Sequence, residues 1–315
     1  MIELIDIGYV RSGTADAKTA VGFARDIVGL KDQGSADGVH YLRADHRHHC
    51  LSFVEGESGV LSSGLVLRDE EALDNAAKHL ESAGIAVRRG TDAEARSRRV
   101  TDFIEFDDPW GNRFDLVIGQ LQDPSFLELT RPSSGITEFG HICVDAADVV
   151  QAYKFWSENF NIKISDWVKG TAALMRFNPV HHTLAVFQGD EPGLCHMNFQ
   201  VDEIDAVFRN WNFLKHHEVE IEQGPGRHPQ SGAVFLYFKG PEGLTYEYSW
   251  NVRLIHDDDE WVPRTFDPTM FGAIDMWGGS SQKPSTQPQV RRPLHDAEWD
   301  ALEEQANLAS KPADA

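Results

Sequence analysis

Cysteine is scarce. Three occur in 315 residues (Cys50, Cys143 and Cys195), and no C-x-x-C pair is present. That argues against a disulfide framework or a zinc ribbon. The expectation is three buried, reduced thiols in a cytoplasmic protein. Positive charge is also in short supply: 29 basic residues face 50 acidic ones, for a net charge of −21. Nucleic acid and anionic membrane surfaces are therefore poor partners, because phosphate binding needs clustered cations. No apolar run approaches the roughly 20 residues of a membrane helix. The opening MIELIDIGYV lacks the basic start of a signal peptide and reads as a strand.

What the chain does have is an internal repeat. IGYVRSG around residue 9 matches FGHICVD around 141, and a helical pattern follows each. HHCLSFVEGE at 48 matches HHTLAVFQGD at 181, and RDEEALDNAAKHLESAG at 68 matches DEIDAVFRNWNFLKHHE at 202. FDDPWGNRFDL at 106 matches FKGPEGLTYEY at 238, each a strand, a tight Pro/Gly turn and a strand. The order predicts an α+β fold of tandem βαβββ modules, two in each half. The expected divisions are an N-terminal domain at 1–120, a linker at 121–135, a C-terminal domain at 136–252 and a partly irregular tail at 253–315. Within the tail, 280–292 reads as a flexible loop, 294–307 as a short helix and the last residues (SKPADA) as disordered.

The chemistry-bearing residues lie in the second half. His141 stands at the start of the strand FGHICV, His196 in GLCHMNFQV and Glu247 in GLTYEYSW, 55 and 51 residues apart. Each interrupts an apolar strand, where a buried polar group must be satisfied or bound. The glutamate is the sharpest anomaly, since a buried carboxylate needs a counter-charge. Two imidazoles and one carboxylate form the facial donor set of non-haem iron, which leaves coordination sites open. The first half provides a control. Its counterparts are Tyr9, Ser62 and Asp115, spaced 53 and 53 residues apart, a poor divalent-metal set. A lone strand histidine is more often a hydrogen-bonded core residue. Three such positions, absent together from the sister half, favour a metal.

Other candidates surround that set. His181 and His182 open a strand, and one of them is a candidate acid or base. The bland alternative is a solvent-facing pair, because His48 and His49 repeat it in the first half. Tyr237 lies on the strand expected to pair with that of Glu247, and His228 follows the GPG turn. These two are candidates for receiving or holding a phenolic proton. Their bland readings are a strand aromatic and a loop residue.

Together these residues resemble a known family, the type I extradiol ring-cleaving dioxygenases of the vicinal oxygen chelate superfamily. The chain is similar to the 2,3-dihydroxybiphenyl and homoprotocatechuate enzymes over roughly 1–255. The string GPGRH, the nine-residue step from His228 to Tyr237 and the ten-residue step on to Glu247 carry the likeness. The resemblance implies two barrel-like domains, with iron(II) in the second held by His141, His196 and Glu247, and manganese(II) as the alternative ion. It implies His182 as the acid–base residue, and His228 and Tyr237 as contacts to substrate oxygens. It also implies a substituted catechol and O2 as reactants, a muconic semialdehyde-type product and a homo-oligomer.

Three departures bear on the substrate. Cys143 replaces the Asn or Val of those relatives. Ser231 stands where the biphenyl-diol enzymes carry Asp. Gln223 stands where the homoprotocatechuate enzymes carry Arg. Cys143, His228, Ser231 and Tyr237 are the expected substrate contacts. The changes lean towards a hydrophobic or alkyl-substituted catechol, with a carboxylated, cumate-type diol as the alternative. Two rival functions stand beside this one: a glyoxalase-like isomerase or epoxide-opening transferase, and a non-catalytic binder of aromatics.

Overall fold

Helices begin where the repeat places its acidic residues. In the computed structural model, which describes residues 1–278, the side chains of Asp16, Asp69 and Asp148 accept amide hydrogens at the starts of α1 (Ala17–Gly22), α2 (Glu70–Ser82) and α4 (Val149–Asn159). Thr91 and Glu94 close a capping box on α3 (Asp92–Arg98). The fifth helix, α5, spans Ile204–His216. The loop expected at 280–292, the helix expected at 294–307 and the terminal SKPADA lie outside the described residues.

The strands of the first half are β1 (Asp6–Thr14), β2 (Lys31–Ala36), β3 (Val39–Arg43), β4 (Leu51–Glu55), β5 (Val60–Val66), β6 (Val87–Arg89), β7 (Asp102–Asp107) and β8 (Arg113–Ile118). Those of the second are β9 (Ile136–Ala146), β10 (Lys163–Val168), β11 (Ala172–Arg176), β12 (Leu184–Gln188), β13 (Gly193–Val201), β14 (Ile221–Arg227), β15 (Val234–Lys239) and β16 (Thr245–Trp250). Each half is two βαβββ units, with α3 inserted between β6 and β7. The sheets run β2-β3-β4-β1-β5-β8-β7-β6 and β14-β15-β16-β13-β9-β12-β11-β10, the second extended beyond β10 by a short strand, β17 (Arg264–Phe266). In every unit the first strand pairs parallel with the last, and the two units of a half join through an antiparallel pair, β1 with β5 and β9 with β13.

The repeat extends to register. Arg11 faces Ser62 across β1 and β5, as Cys143 faces His196 across β9 and β13. Gly64 faces Asp115, as Asn198 faces Glu247. The two halves also share a core. The ring of Phe114 lies 4.8 Å from Trp156 in α4, and that of Phe106 lies 5.9 Å from Phe160. Burying rings of this size contributes about 2–3 kcal/mol each, which locks the halves together.

The structure amends three expectations. His141 sits in the middle of β9, not at a strand start. Cys195 is only partly buried, unlike Cys50 and Cys143, and all three thiols are free. The tail adds a strand, β17 (Arg264–Phe266), parallel to β10. No helix among the described residues is long and apolar enough to cross a membrane.

Candidate metal centre

The alternation of β9, β13 and β16 turns His141, His196 and Glu247 towards one point. Their exposures are 2%, 4% and 1%. His141 Nε2 lies 3.2 Å from His196 Nε2 and 3.0 Å from Glu247 Oε2, and His196 Nε2 lies 3.4 Å from the same oxygen. Burial alone would push the Glu247 carboxyl upward. The two facing imidazoles more than reverse this and hold it well below the ordinary carboxylate range. Burial lowers His141, against the pull of Glu247.

These residues fit a divalent ion. Metal–ligand bonds of about 2.1 Å at right angles place neighbouring donors roughly 3.0 Å apart. Glu247 Oε2 and His141 Nδ1 are buried without a hydrogen bond among the described residues, and an unpaired buried carboxylate oxygen calls for a cation. The Cys143 Sγ lies within 4.8 Å of the two imidazole donors. Burial, the first of several causes, raises its thiol well above the usual value, so Glu247 is the better third donor.

The surrounding residues are oriented by their partners. His228 Nδ1 lies 2.9 Å from the carbonyl of Ile274, which can only accept. That nitrogen therefore carries the hydrogen, and in the neutral ring Nε2 accepts from the Tyr237 hydroxyl at 2.9 Å. Burial lowers His228 and raises Tyr237, which keeps both neutral. Phe235 stacks on His228 at 3.9 Å, and Tyr237 faces Glu247 directly across β15 and β16. Gly226 is needed beneath this pair, because a Cβ there would come within 2.4 Å of the Phe235 ring and 2.6 Å of Asp275.

The solvent-facing reading of His181 and His182 is excluded by exposures of 0% and 7%. His181 Nε2 meets Asp166 Oδ2 at 2.9 Å, and Asp166 is held in turn by Arg264 of β17. His181 thus donates from Nε2 and accepts at Nδ1, where His182 Nδ1 approaches to 3.1 Å. His182 is left with Nε2 unprotonated, its ring 4.3 Å from that of His141. Burial, then His141 and His181, depress its pKa well below 6.5. Ser231 is less engaged: its hydroxyl accepts from the amide of Ala233 within its own turn.

Sequence reasoning missed Asp166, Arg264 and Ile274. No side-chain pattern marks a carbonyl, and the Asp166–Arg264 pair spans 98 residues. In the first half, Tyr9, Ser62 and Asp115 also converge. The Tyr9 and Ser62 hydroxyls each donate to Asp115 Oδ2 at 2.8 Å, and Arg98 Nε donates to the same oxygen at 2.7 Å. A guanidinium supplies the counter-charge there. Arg98→Met, which strands this buried carboxylate, is expected to destabilise the fold by about 3–5 kcal/mol in urea unfolding. An unchanged midpoint would remove Arg98 from that role.

Two sister sheets of βαβββ units, only one of them with a cation-ready donor set, define the class of protein. The chain belongs to the Glyoxalase/Bleomycin resistance protein/Dioxygenase superfamily, whose model matches residues 6–116 and again 138–248. Among its relatives, a 1,2-dihydroxynaphthalene dioxygenase of Sphingobium xenophagum is 26% identical, over 84% of this chain and 94% of that one. An iron-dependent extradiol dioxygenase of Rhodococcus jostii (strain RHA1) is 25% identical, over 86% and 95%. The crystal structure of a halotolerant catechol dioxygenase superposes with a TM-score of 0.81 at 25% identity, covering 90% of this chain and 97% of the other.

Proposed function

We propose that this protein opens the ring of a catechol beside its two hydroxyls, with O2 as co-substrate and iron(II) held by His141, His196 and Glu247. The observation that carries the reading is the convergence of those three donors within 3.0–3.4 Å, flanked by an oriented His228–Tyr237 pair and an unprotonated His182 Nε2. The names of relatives such as the iron-dependent extradiol enzyme support it. The whole donor set lies in one half, which counts against an isomerase-type site shared between modules.

A ferrous ion at these donors would supply adjacent binding positions for catecholate and dioxygen, and a path for electrons between them. The protein's part is orientation and proton handling. Tyr237 gives its hydrogen to His228, so its oxygen presents lone pairs to a substrate hydroxyl. His182 Nε2 can take a proton from the substrate side and return it later, since its Nδ1 is fixed by His181 and Asp166. The apolar cluster of Cys143, Leu174, Ala185, Phe187 and Ile274 adjoins the donor set, with Cys143 opposite His196, and in this reading it receives the rest of the ring.

The substrate in this proposal is an uncharged, alkyl-substituted catechol. Asp145 supports that choice: burial raises its carboxyl to about 6 against the opposing effect of His196, and at neutral pH it would repel an acidic side group. The test is oxygen uptake and yellow product formation by anaerobically iron-loaded protein across a panel of substituted catechols. Alkylcatechols are expected to turn over faster than carboxylated ones. No uptake with any catechol would favour a binding protein, and activity only with manganese would reassign the ion.

A further inference from the structure

Away from the metal centre, a cavity of about 710 Å³ opens on the first half and reaches the second. Its charged lining holds four arginines and three glutamates, in a chain whose net charge is −21. Most of these cations are already used. Arg88 pairs with Glu94 and Glu105, Arg113 with Asp107, and Arg98 with Asp115. Arg11 is different. It is 9% exposed and its Nε is buried without a hydrogen-bond partner, while the carboxylates of Asp115 and Glu105 attract it only through space. A buried guanidinium nitrogen left without a hydrogen bond is costly to keep.

The repeat shows what Arg11 replaces. It follows Tyr9 by two residues, as Cys143 follows His141, and it faces Ser62 as Cys143 faces His196. The first half therefore sets a fixed cation at the position that adjoins the donor set in the second. The other walls include Val54, Val60 and Leu61, with Val144 and Leu194 from the opposite half. Glu57 also lines the cavity, at its exposed side.

We propose that this cavity is a second ligand site, which binds a small organic carboxylate through Arg11. A guanidinium fork matches a planar carboxylate in two parallel hydrogen bonds. The apolar walls suit a hydrocarbon body, and the volume is that of a small-molecule site. Nothing in this assignment depends on the metal centre or its chemistry.

Calorimetric titration of the full-length, iron-loaded protein with benzoate, and separately with inorganic phosphate, tests the proposal. Benzoate is expected to bind the unaltered protein, to weaken with added salt, and to lose roughly tenfold or more in affinity in Arg11→Met. Arg11→Lys, which keeps the charge without the fork, is expected to fall between the two. Glu247→Gln, which alters only the other site, should bind benzoate as before. Equal affinity in both Arg11 variants and the unaltered protein would overturn the site. Loss of binding in Glu247→Gln would place benzoate at the metal centre instead. Phosphate binding tighter than benzoate would overturn the carboxylate class.

Discussion

Glu247→Gln is expected to lower iron retention by on the order of 100-fold or more, with turnover falling in parallel. The substitution keeps shape and removes charge. Altering groups that merely support a metal ligand costs roughly 10–100-fold in affinity, and loss of the only anionic donor should exceed that. The two imidazoles remain but bring no charge to offset the ion's. Iron content after desalting, set against turnover of freshly loaded protein, separates loss of metal from loss of chemistry. The metal-free protein gives an independent reading. The folded-state pKa of Glu247 is depressed, so the carboxylate contributes stability above its unfolded value, and that stability is lost as pH falls through the folded one. Metal-free Glu247→Gln should lack this acid-sensitive component. Retention of iron and turnover at the unaltered level would end the assignment of Glu247 as a ligand.

His182→Phe is expected to slow turnover by roughly 10²- to 10⁴-fold while iron content stays near that of the unaltered protein. The ring touches none of the three donors by hydrogen bond, and its Nδ1 is committed to His181. Because burial and its histidine neighbours depress its pKa, the base form persists below pH 6.5. The acid limb of kcat should accordingly lie lower than an ordinary imidazole would set it, and the phenylalanine variant should lose that limb. Normal turnover in the variant would take His182 out of the chemistry.

Much of this centre was legible in the sequence because the chain carries its own control. His141, His196 and Glu247 stood out against Tyr9, Ser62 and Asp115, and register pairing later placed all six at equivalent points. The βαβββ order followed from hydrophobic period and turn residues for the same reason. What could not be read is what arrives from far along the chain or from the backbone. Arg98 meets Asp115 through a helix inserted between β6 and β7, outside the repeat. Asp166 lies inside a buried strand and gains meaning only when Arg264 reaches it. The Ile274 carbonyl has no sequence signature, yet it decides which nitrogen of His228 carries hydrogen. The pair His181–His182 was ambiguous because His48–His49 share its spelling. Their nitrogen contacts of 3.1 and 3.3 Å show the same geometry in both halves, so only the neighbours distinguish them.

The stretch beyond Trp250 gives this duplicated chain an asymmetry that its ancestry does not explain. Arg264 and Ile274 belong to neither copy, yet the Ile274 carbonyl decides which nitrogen of His228 carries hydrogen, and Arg264 braces the Asp166 that orients His181 and, through it, His182. A chain cut after β16 would retain the three converging donors while losing the carbonyl that orients His228 and the brace that steadies Asp166. On the proposed reading, gripping an ion and ordering the hydrogens around it are thus encoded in partly separate stretches, and grafting the duplicated core alone onto another scaffold would transfer the first more completely than the second.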